Sequence, residues 1–258
     1  MSDFNYPPQT GEYKVVVKSG AAWRDYDTAR LEISVGQPYH EGAKFEATID
    51  WARHRFSHVI VSVNDTLQRF NLMFERGLSE NRAMIVARQA GSDWISRQRP
   101  VLMNLPGGEI CRWNEWLWHP GFSAALEQTC LFYDNHQGFR EAVSDNIGAI
   151  WSRKLGSSAL YVKENYQQFL DLSEQYILEE TAVFSLMFRE RPAVDIYPGT
   201  LLFMWRLFAE GPLPDAPEGL DKGSFTRIDF RRNKNPQRQV ESPSAPSTPP
   251  QPRTPHFY

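Results

Sequence analysis

Three short groups of residues carry side chains suited to acyl-transfer chemistry. The first is the run Ser34-Val-Gly-Gln-Pro-Tyr39, in which Gly36 permits a tight turn and Pro38 bars a continuing central strand. A serine at such a strand end has backbone N–H groups nearby, which suits a nucleophile or a donor to an oxyanion. The plain structural alternative is a turn-forming serine. A hydrolase nucleophile elbow needs glycine two residues ahead of the serine, and Glu32 stands there instead. Tyr176 and Glu180 form the second group; four apart on an expected helix, they share a face. A carboxylate and a phenol side by side can hold an ammonium group, the first by charge and the second by a hydrogen bond. A solvated helix face is the alternative, and Glu179, aimed elsewhere, reads as that case. Third, Tyr197-Pro198-Gly199 follows an expected strand, either as a plain turn or as part of the same ligand-binding edge.

These groups need elements to hold them. Strand patterns fall at 13–18, 30–34, 58–63, 109–113 and 193–196. Helix patterns fall at 41–56, with Phe45, Ile49, Ala52 and Phe56 at helical spacing, and from Asp65 or Thr66 to Gly77. Another helix starts at Ser79 with Ala83, Ala87, Ala90 and Trp94 on one stripe. Asn114 is a possible cap, and further helices are expected at about 123–154, 163–188 and 200–209. Strands alternating with helices imply an α/β fold, a mostly parallel sheet covered on both faces, with ligands beyond the carboxyl ends of its strands. Side chains alternate along a strand, so Arg30, Glu32 and Ser34 share one face.

Composition narrows the function classes. The chain has 258 residues, 41% hydrophobic and 23% charged, with a formal charge of −3. Two cysteines, Cys111 and Cys130, make a disulfide scaffold implausible and suggest a reducing, cytoplasmic setting; both read as small buried residues. No apolar run approaches a membrane span, and the polar start is unlike a secretory signal. His54 and His58 lack the glutamate of a zinc-protease motif, so no metal site is expected. Trp113, Trp116 and Trp118 read as core. The net charge argues against a general nucleic-acid coat protein but leaves room for local basic patches. Six arginines face three acidic residues between Arg69 and Arg99, and six basic residues face one acid between Lys222 and Arg238. A single domain is expected over 1–234. Residues 235–258 hold seven of the 18 prolines and read as a disordered tail. Pro243, Pro246, Pro249, Pro252 and Pro255 recur every third residue, the period of polyproline II, so a proline-binding partner is conceivable beside a merely solvated tail.

Ser34-Val-Gly-Gln-Pro-Tyr39, Asn64-Asp-Thr-Leu-Gln-Arg-Phe70, Tyr176-Ile-Leu-Glu-Glu180 and Tyr197-Pro198 occur in that order at workable spacings. Together, over roughly 12–211, they resemble the tRNA-dependent cyclodipeptide synthases. Gln37 with Tyr197-Pro198 resembles the subfamily marked by a variable residue, Tyr and Pro. The resemblance implies a Rossmann-like fold similar to the catalytic domain of class I aminoacyl-tRNA synthetases. It implies a ping-pong reaction in which two aminoacyl-tRNAs, taken in sequence, yield a cyclic dipeptide through aminoacyl- and dipeptidyl-enzyme. By position, Ser34 would be the nucleophile, Tyr176 and Glu180 would hold the amine, and Tyr197 would position the aminoacyl group. Glu32, Gly36, Gln37 and Ser62 would line the substrate site. Arg88, Arg99, Arg231 and Arg232 would contact the tRNA backbone, where a solvated face is the alternative. No cofactor is expected: ATP-binding signatures and a phosphate-cradling loop are missing, and the substrate arrives activated. A Ser-His-Asp triad is not expected, because no histidine is placed near Ser34. Glu32 departs from the small residue common there, which suggests a polar first-aminoacyl pocket; pairing with Arg30, or an exposed strand entry, is the alternative. A non-catalytic aminoacyl-tRNA-binding module is the competing function.

Overall fold

The structure, a computed structural model, describes residues 9–20, 23–105, 107–198 and 215–234, without the side chains of 19, 20 and 153–163. The expected helix at 200–209 and the proline-rich tail lie outside the described residues. Among those described, six strands form one sheet: β1 (Tyr13–Gly20), β2 (Thr28–Ile33), β3 (His58–Val63), β4 (Glu109–Arg112), β5 (Val194–Pro198) and β6 (Ser224–Arg232). Their order is β1-β6-β5-β2-β3-β4, parallel throughout except for β1, which runs antiparallel to β6. Helices cover both faces: α1 (Gly42–Arg53), α2 (Arg69–Arg76), α3 (Glu80–Leu102), α4 (Trp113–Leu117), α5 (Phe122–Asn135), α6 (Gln137–Glu164) and α7 (Tyr166–Glu190). The architecture is Rossmann-like.

Strand alternation divides the interior into two cores. Ala29, Leu31 and Ile33 of β2, Val59, Val61 and Val63 of β3, and Val194 and Ile196 of β5 pack against Phe45 and Trp51 of α1 and Trp94 of α3. The opposite face packs against α2 and α4–α7. A parallel sheet covered on both faces usually reads as continuously apolar. Here the second face is polar along a row: Arg30, Glu32, Ser62 and Asp195 are all buried. Helix α7 lies over that row and is buried from Ile177 to Phe188, so it is a core helix rather than an amphipathic surface one.

The order of strands creates a switch point. After β2 the chain builds β3 and β4 on one side, then returns to place β5 and β6 on the other. The carboxyl ends of β2 and β5 therefore diverge, the place where open α/β sheets bind ligands.

Several local details differ from the sequence reading. The long helix expected at 123–154 is broken at His136, whose extended backbone and Nδ1 acceptor, bonded by the Phe139 N–H at 3.1 Å, start a new helix. The helix after β4 begins at Trp113, not beyond Asn114; the Glu115 carboxylate accepts the Arg112 N–H at 3.2 Å. Trp113 and Trp116 are core, but Trp118 is 84% exposed. Strand β6 was hidden in a run read only for its charge, although Phe225 and Ile228 are buried in it.

In α3 the buried stripe runs through Ala83, Ala87, Gly91 and Trp94, so Gly91 rather than Ala90 faces inward. A Cβ on Gly91 would overlap the Asp65 carboxylate, which accepts the Thr66 N–H and pairs with Arg112. Gly91→Ala should lower unfolding stability by about 1–3 kcal/mol although alanine is the better helix former. A denaturant midpoint equal to or above wild type would refute this packing.

Candidate active site

Ser34 follows β2 directly. Its carbonyl accepts the Gln37 N–H at 3.2 Å, and Gly36 at φ +88° supplies the left-handed third position of this turn. Gln37 is exposed and leads into a 3-10 turn, Pro38–His40. The turn leaves the Ser34 hydroxyl at the switch point, 3.2 Å from the Tyr197 hydroxyl on β5. Tyr39 comes from the same turn, and its hydroxyl lies 2.8 Å from that of Tyr197. Three hydroxyls thus form a chain across the diverging strands.

Beneath them sits the polar row. Parallel pairing sets Glu32 opposite Ser62 and Arg30 opposite Asp195. Arg30 does not pair with Glu32, and neither is exposed: Arg30 bonds Asp195 Oδ1 at 2.8 Å and the carbonyls of Met187 and Arg191. Asn64 donates to Glu32 Oε2 at 2.8 Å and accepts from Ser62 at 3.0 Å. Ser62 therefore holds Asn64, and Asn64 holds Glu32.

Helix α7 closes the site from above. Burial is the main reason the Glu180 carboxyl rises to about 8, and the nearby Glu32 carboxylate adds to it. Burial also raises Glu32, partly offset by the Arg30 guanidinium and by Asn64 and Ser62. The Tyr176 phenol is pushed well above its usual range by burial and then by Glu180 and Tyr197, against a hydrogen bond with Gln68. Tyr197 is raised by burial and by facing Glu180 and Glu32, while its bonds to Ser34 and Tyr39 oppose the shift. Ser34, Tyr197, Glu180, Tyr176 and Glu32 therefore form one electrostatic cluster.

Glu179 is not solvated. It is 5% exposed, takes a bidentate pair from Arg69 and accepts the Trp113 indole N–H at 2.9 Å. His40 is also beside the site: its ring packs 4.6 Å from Tyr39 and 5.8 Å from Tyr197, measured between centroids. Burial lowers it to about 3, so it is neutral. Among the described residues no histidine bonds Ser34, and no group of three or more His, Cys, Asp or Glu could hold a metal ion.

Sequence reasoning passed over Tyr39, His40, Gln68, Arg69, Glu179 and Asp195 as site residues. The runs 34–39, 64–70 and 176–180 contain Tyr39, Gln68, Arg69 and Glu179, but none of these was given a role in the site. Three polar members of the run 64–70 hold site residues: Asn64 holds Glu32, Gln68 bonds Tyr176 and Arg69 holds Glu179, whereas Asp65 anchors Arg112. The four candidate tRNA-binding arginines are on other elements. Arg88 and Arg99 are exposed on α3, and Arg231 and Arg232 are exposed on β6 opposite Lys14 and Tyr13 of β1. Arg99 lines a separate cavity of about 500 Å³ with Leu105 and Glu109, beside the start of β4.

No protein-family model and no curated protein matches this chain. Its fold is similar to solved structures. A CDPS from Fluoribacter dumoffii aligns with TM-score 0.73 at 21% identity, over 86% of this chain and 100% of that one. A cyclodipeptide synthase from Candidatus Glomeribacter gigasporarum bound to Phe-tRNAPhe gives 0.61 at 16% identity, over 86% and 93%. A Mycobacterium tuberculosis protein, described as demonstrating that cyclodipeptide synthetases are related to type I tRNA synthetases, gives 0.59 at 14%, over 86% and 95%. These likenesses extend over nearly the whole of each relative and concern the fold. No helix among the described residues is long and apolar enough to cross a membrane.

A carboxyl whose folded value of about 8 lies above its ordinary 4.5 binds more protons in the folded than in the unfolded chain. Its contribution to stability is present below about 4.5 and lost as pH rises through about 8. Glu180→Gln should therefore be more stable than wild type above pH 8, by something on the order of 2 kcal/mol, and the two should converge toward pH 4.5. Parallel thermal melts across that range test this, and a constant offset at every pH would refute it.

Proposed function

We propose that this chain is a cyclodipeptide synthase of the subfamily with a variable residue, Tyr and Pro, using two aminoacyl-tRNAs in sequence in the cytoplasm. The observation that carries this reading is the Ser34 hydroxyl at the switch point, 3.2 Å from Tyr197 and under the Tyr176–Glu180 face of α7. The fold shared with proteins described as cyclodipeptide synthases supports it, as does a relative bound to Phe-tRNAPhe.

In the first step Ser34 Oγ attacks the ester carbonyl of the aminoacyl-tRNA. A carbon–oxygen bond to serine forms, the bond to the terminal ribose breaks, and the serine proton leaves with the ribose oxygen. An aminoacyl ester is already activated, so this exchange of one ester for another needs no strong base. The Tyr39–Tyr197–Ser34 hydroxyl chain orients the serine. Turn N–H groups beside it suit the developing oxyanion.

The α-ammonium of the bound residue sits between Tyr176 and Glu180. A free α-amino group titrates at about 7.7–8.0, close to the empty-site value of Glu180. The proton can therefore pass from ammonium to carboxylate at little cost, and the freed amine attacks the second aminoacyl ester. The second tRNA departs with a proton, leaving a dipeptidyl ester on Ser34. Its new terminal amine then attacks the seryl ester, closes the six-membered ring and returns the proton to Ser34. Ring closure is intramolecular, where a well-placed amine gains an effective molarity of about 10⁵ M or more. Asn64 and Ser62 act as positioning residues for Glu32, and Gly36 and Gln37 shape the rim.

Incubation with radiolabelled aminoacyl-tRNAs tests the reaction. Wild type should retain acid-stable label that alkali releases as an ester, and Ser34→Ala should retain none. Aminoacyl-tRNA binding without Ser34-dependent label would instead make the chain a binding module. Phosphate contacts by the basic residues of α3 and β6 form a second part of the proposal. Replacing Arg88 and Arg99, or Arg231 and Arg232, with alanine should weaken tRNA binding and reduce its log–log salt slope by about 1–2. A slope unchanged in both double variants would place the tRNA elsewhere.

A further inference from the structure

Three of the buried acids have a cation of their own. Asp195 pairs with Arg30, Glu179 with Arg69 and Asp65 with Arg112. Among the described residues Glu32 and Glu180 have none, although they are 1% and 7% exposed. Arg30 stands two residues from Glu32 on the same face, but its donors are taken by Asp195 and two backbone carbonyls. Asn64 satisfies only one oxygen of Glu32. The other, Oε1, is buried without a hydrogen-bond partner among the described residues, and the Ser62 hydroxyl donates to Asn64. A buried carboxylate left this way costs several kcal/mol unless a cation or donor completes it.

The site described above brings one such cation: the α-ammonium of the first aminoacyl group, for Glu180. That leaves Glu32, two residues before Ser34 on the same face and therefore beside the serine that would carry the first aminoacyl group. We propose that the first aminoacyl group carries a cationic side chain, a guanidinium or an ammonium, that pairs with Glu32. The product would then be a cyclic dipeptide containing one basic residue. This rests on the function proposed above. An aminoacyl group with two positive charges matches two unpaired carboxylates, whereas an apolar side chain would bury Glu32 Oε1 against hydrocarbon.

The test measures the rate of covalent labelling of the full chain from separately charged arginyl-, lysyl-, leucyl- and phenylalanyl-tRNA, with mass spectrometry of the released products. Wild type should take label from arginyl- or lysyl-tRNA at least about 100-fold faster than from leucyl- or phenylalanyl-tRNA. Which basic residue it takes distinguishes guanidinium from ammonium. Glu32→Gln keeps the shape of the side chain and an acceptor for Asn64, and it should erase most of that preference. Wild type labelled as fast from the neutral aminoacyl-tRNAs as from the basic ones would overturn the inference while leaving the proposed function standing, and that comparison requires no variant. A Glu32→Gln protein that keeps the full preference would overturn it as well. Failure of every aminoacyl-tRNA to label Ser34 would overturn the proposed function, and this inference with it.

Discussion

The rotation of α7 about its own axis determines whether this site exists, and a buried ion pair sets that rotation. Glu179 is clamped by both terminal nitrogens of Arg69 and by the Trp113 indole. A bidentate carboxylate–guanidinium pair fixes direction as well as distance. Successive helical residues are about 100° apart, so fixing Glu179 also fixes the directions of Glu180 and Tyr176. Arg69 starts α2, immediately after the turn that bonds Tyr176 through Gln68. One short segment after β3 therefore locks the helix over the sheet and steadies the phenol. The pair need not add net stability, since desolvation offsets much of its attraction. Its role is to exclude other rotations of α7, each of which would take Glu179 away from the buried Arg69 guanidinium.

Against that rigid frame the polar row is a cost the fold carries. Four polar residues, Arg30, Glu32, Ser62 and Asp195, occupy positions where apolar ones would pack well, and all are fully buried. Arg30 bridges Asp195 to the end of α7 through the Met187 and Arg191 carbonyls, so it serves the architecture. Among the described residues Glu32 bonds only Asn64. A perturbed, underpaired carboxylate in a cleft at a switch point is the pattern of a binding group rather than a structural one. The fold itself does not assign a function, because similar sheets serve unrelated chemistries; the assignment comes from what this row and α7 enclose.

Much of this was readable from the chain alone. Strand patterns located β2 and β3, the latter by its run of β-branched residues, and alternation put Arg30, Glu32 and Ser34 on one face. Ser34, Tyr176, Glu180 and Tyr197 come together from three elements far apart in sequence. The failures have physical causes. Glu179 looked solvated because a helical wheel shows which side chains diverge but not which of them meets an arginine from another helix. His40 was invisible because its place beside Tyr197 depends on the turn after Ser34 folding back over β5. Strand β6 was masked by its arginines: Phe225 and Ile228 carry its burial while Arg231 and Arg232 dominate its composition. Gly91 was passed over for Ala90 because a stripe of small residues does not say which of them meets a loop carboxylate.

In the proposed reaction, the raised Glu180 carboxyl would reconcile two demands that a normal glutamate could not meet together. Holding an ammonium requires a carboxylate; releasing that amine as a nucleophile requires the same group to take a proton. At the ordinary value of 4.5 the ionised form is so favoured that the proton would stay on the amine. Burial beneath α7, with Glu32 close by, brings the two proton affinities near each other. The occupant would then set the protonation state: an arriving α-ammonium would stabilise the carboxylate, and departure of the cyclic product, whose ring nitrogens are uncharged amides, would return Glu180 to its protonated form. In the same way, a cation held on Glu32 would remove one of the two causes raising Glu180. Occupancy of the side-chain pocket would thus be felt at the group that manages the amine, linking which residue is bound to how readily its nitrogen reacts.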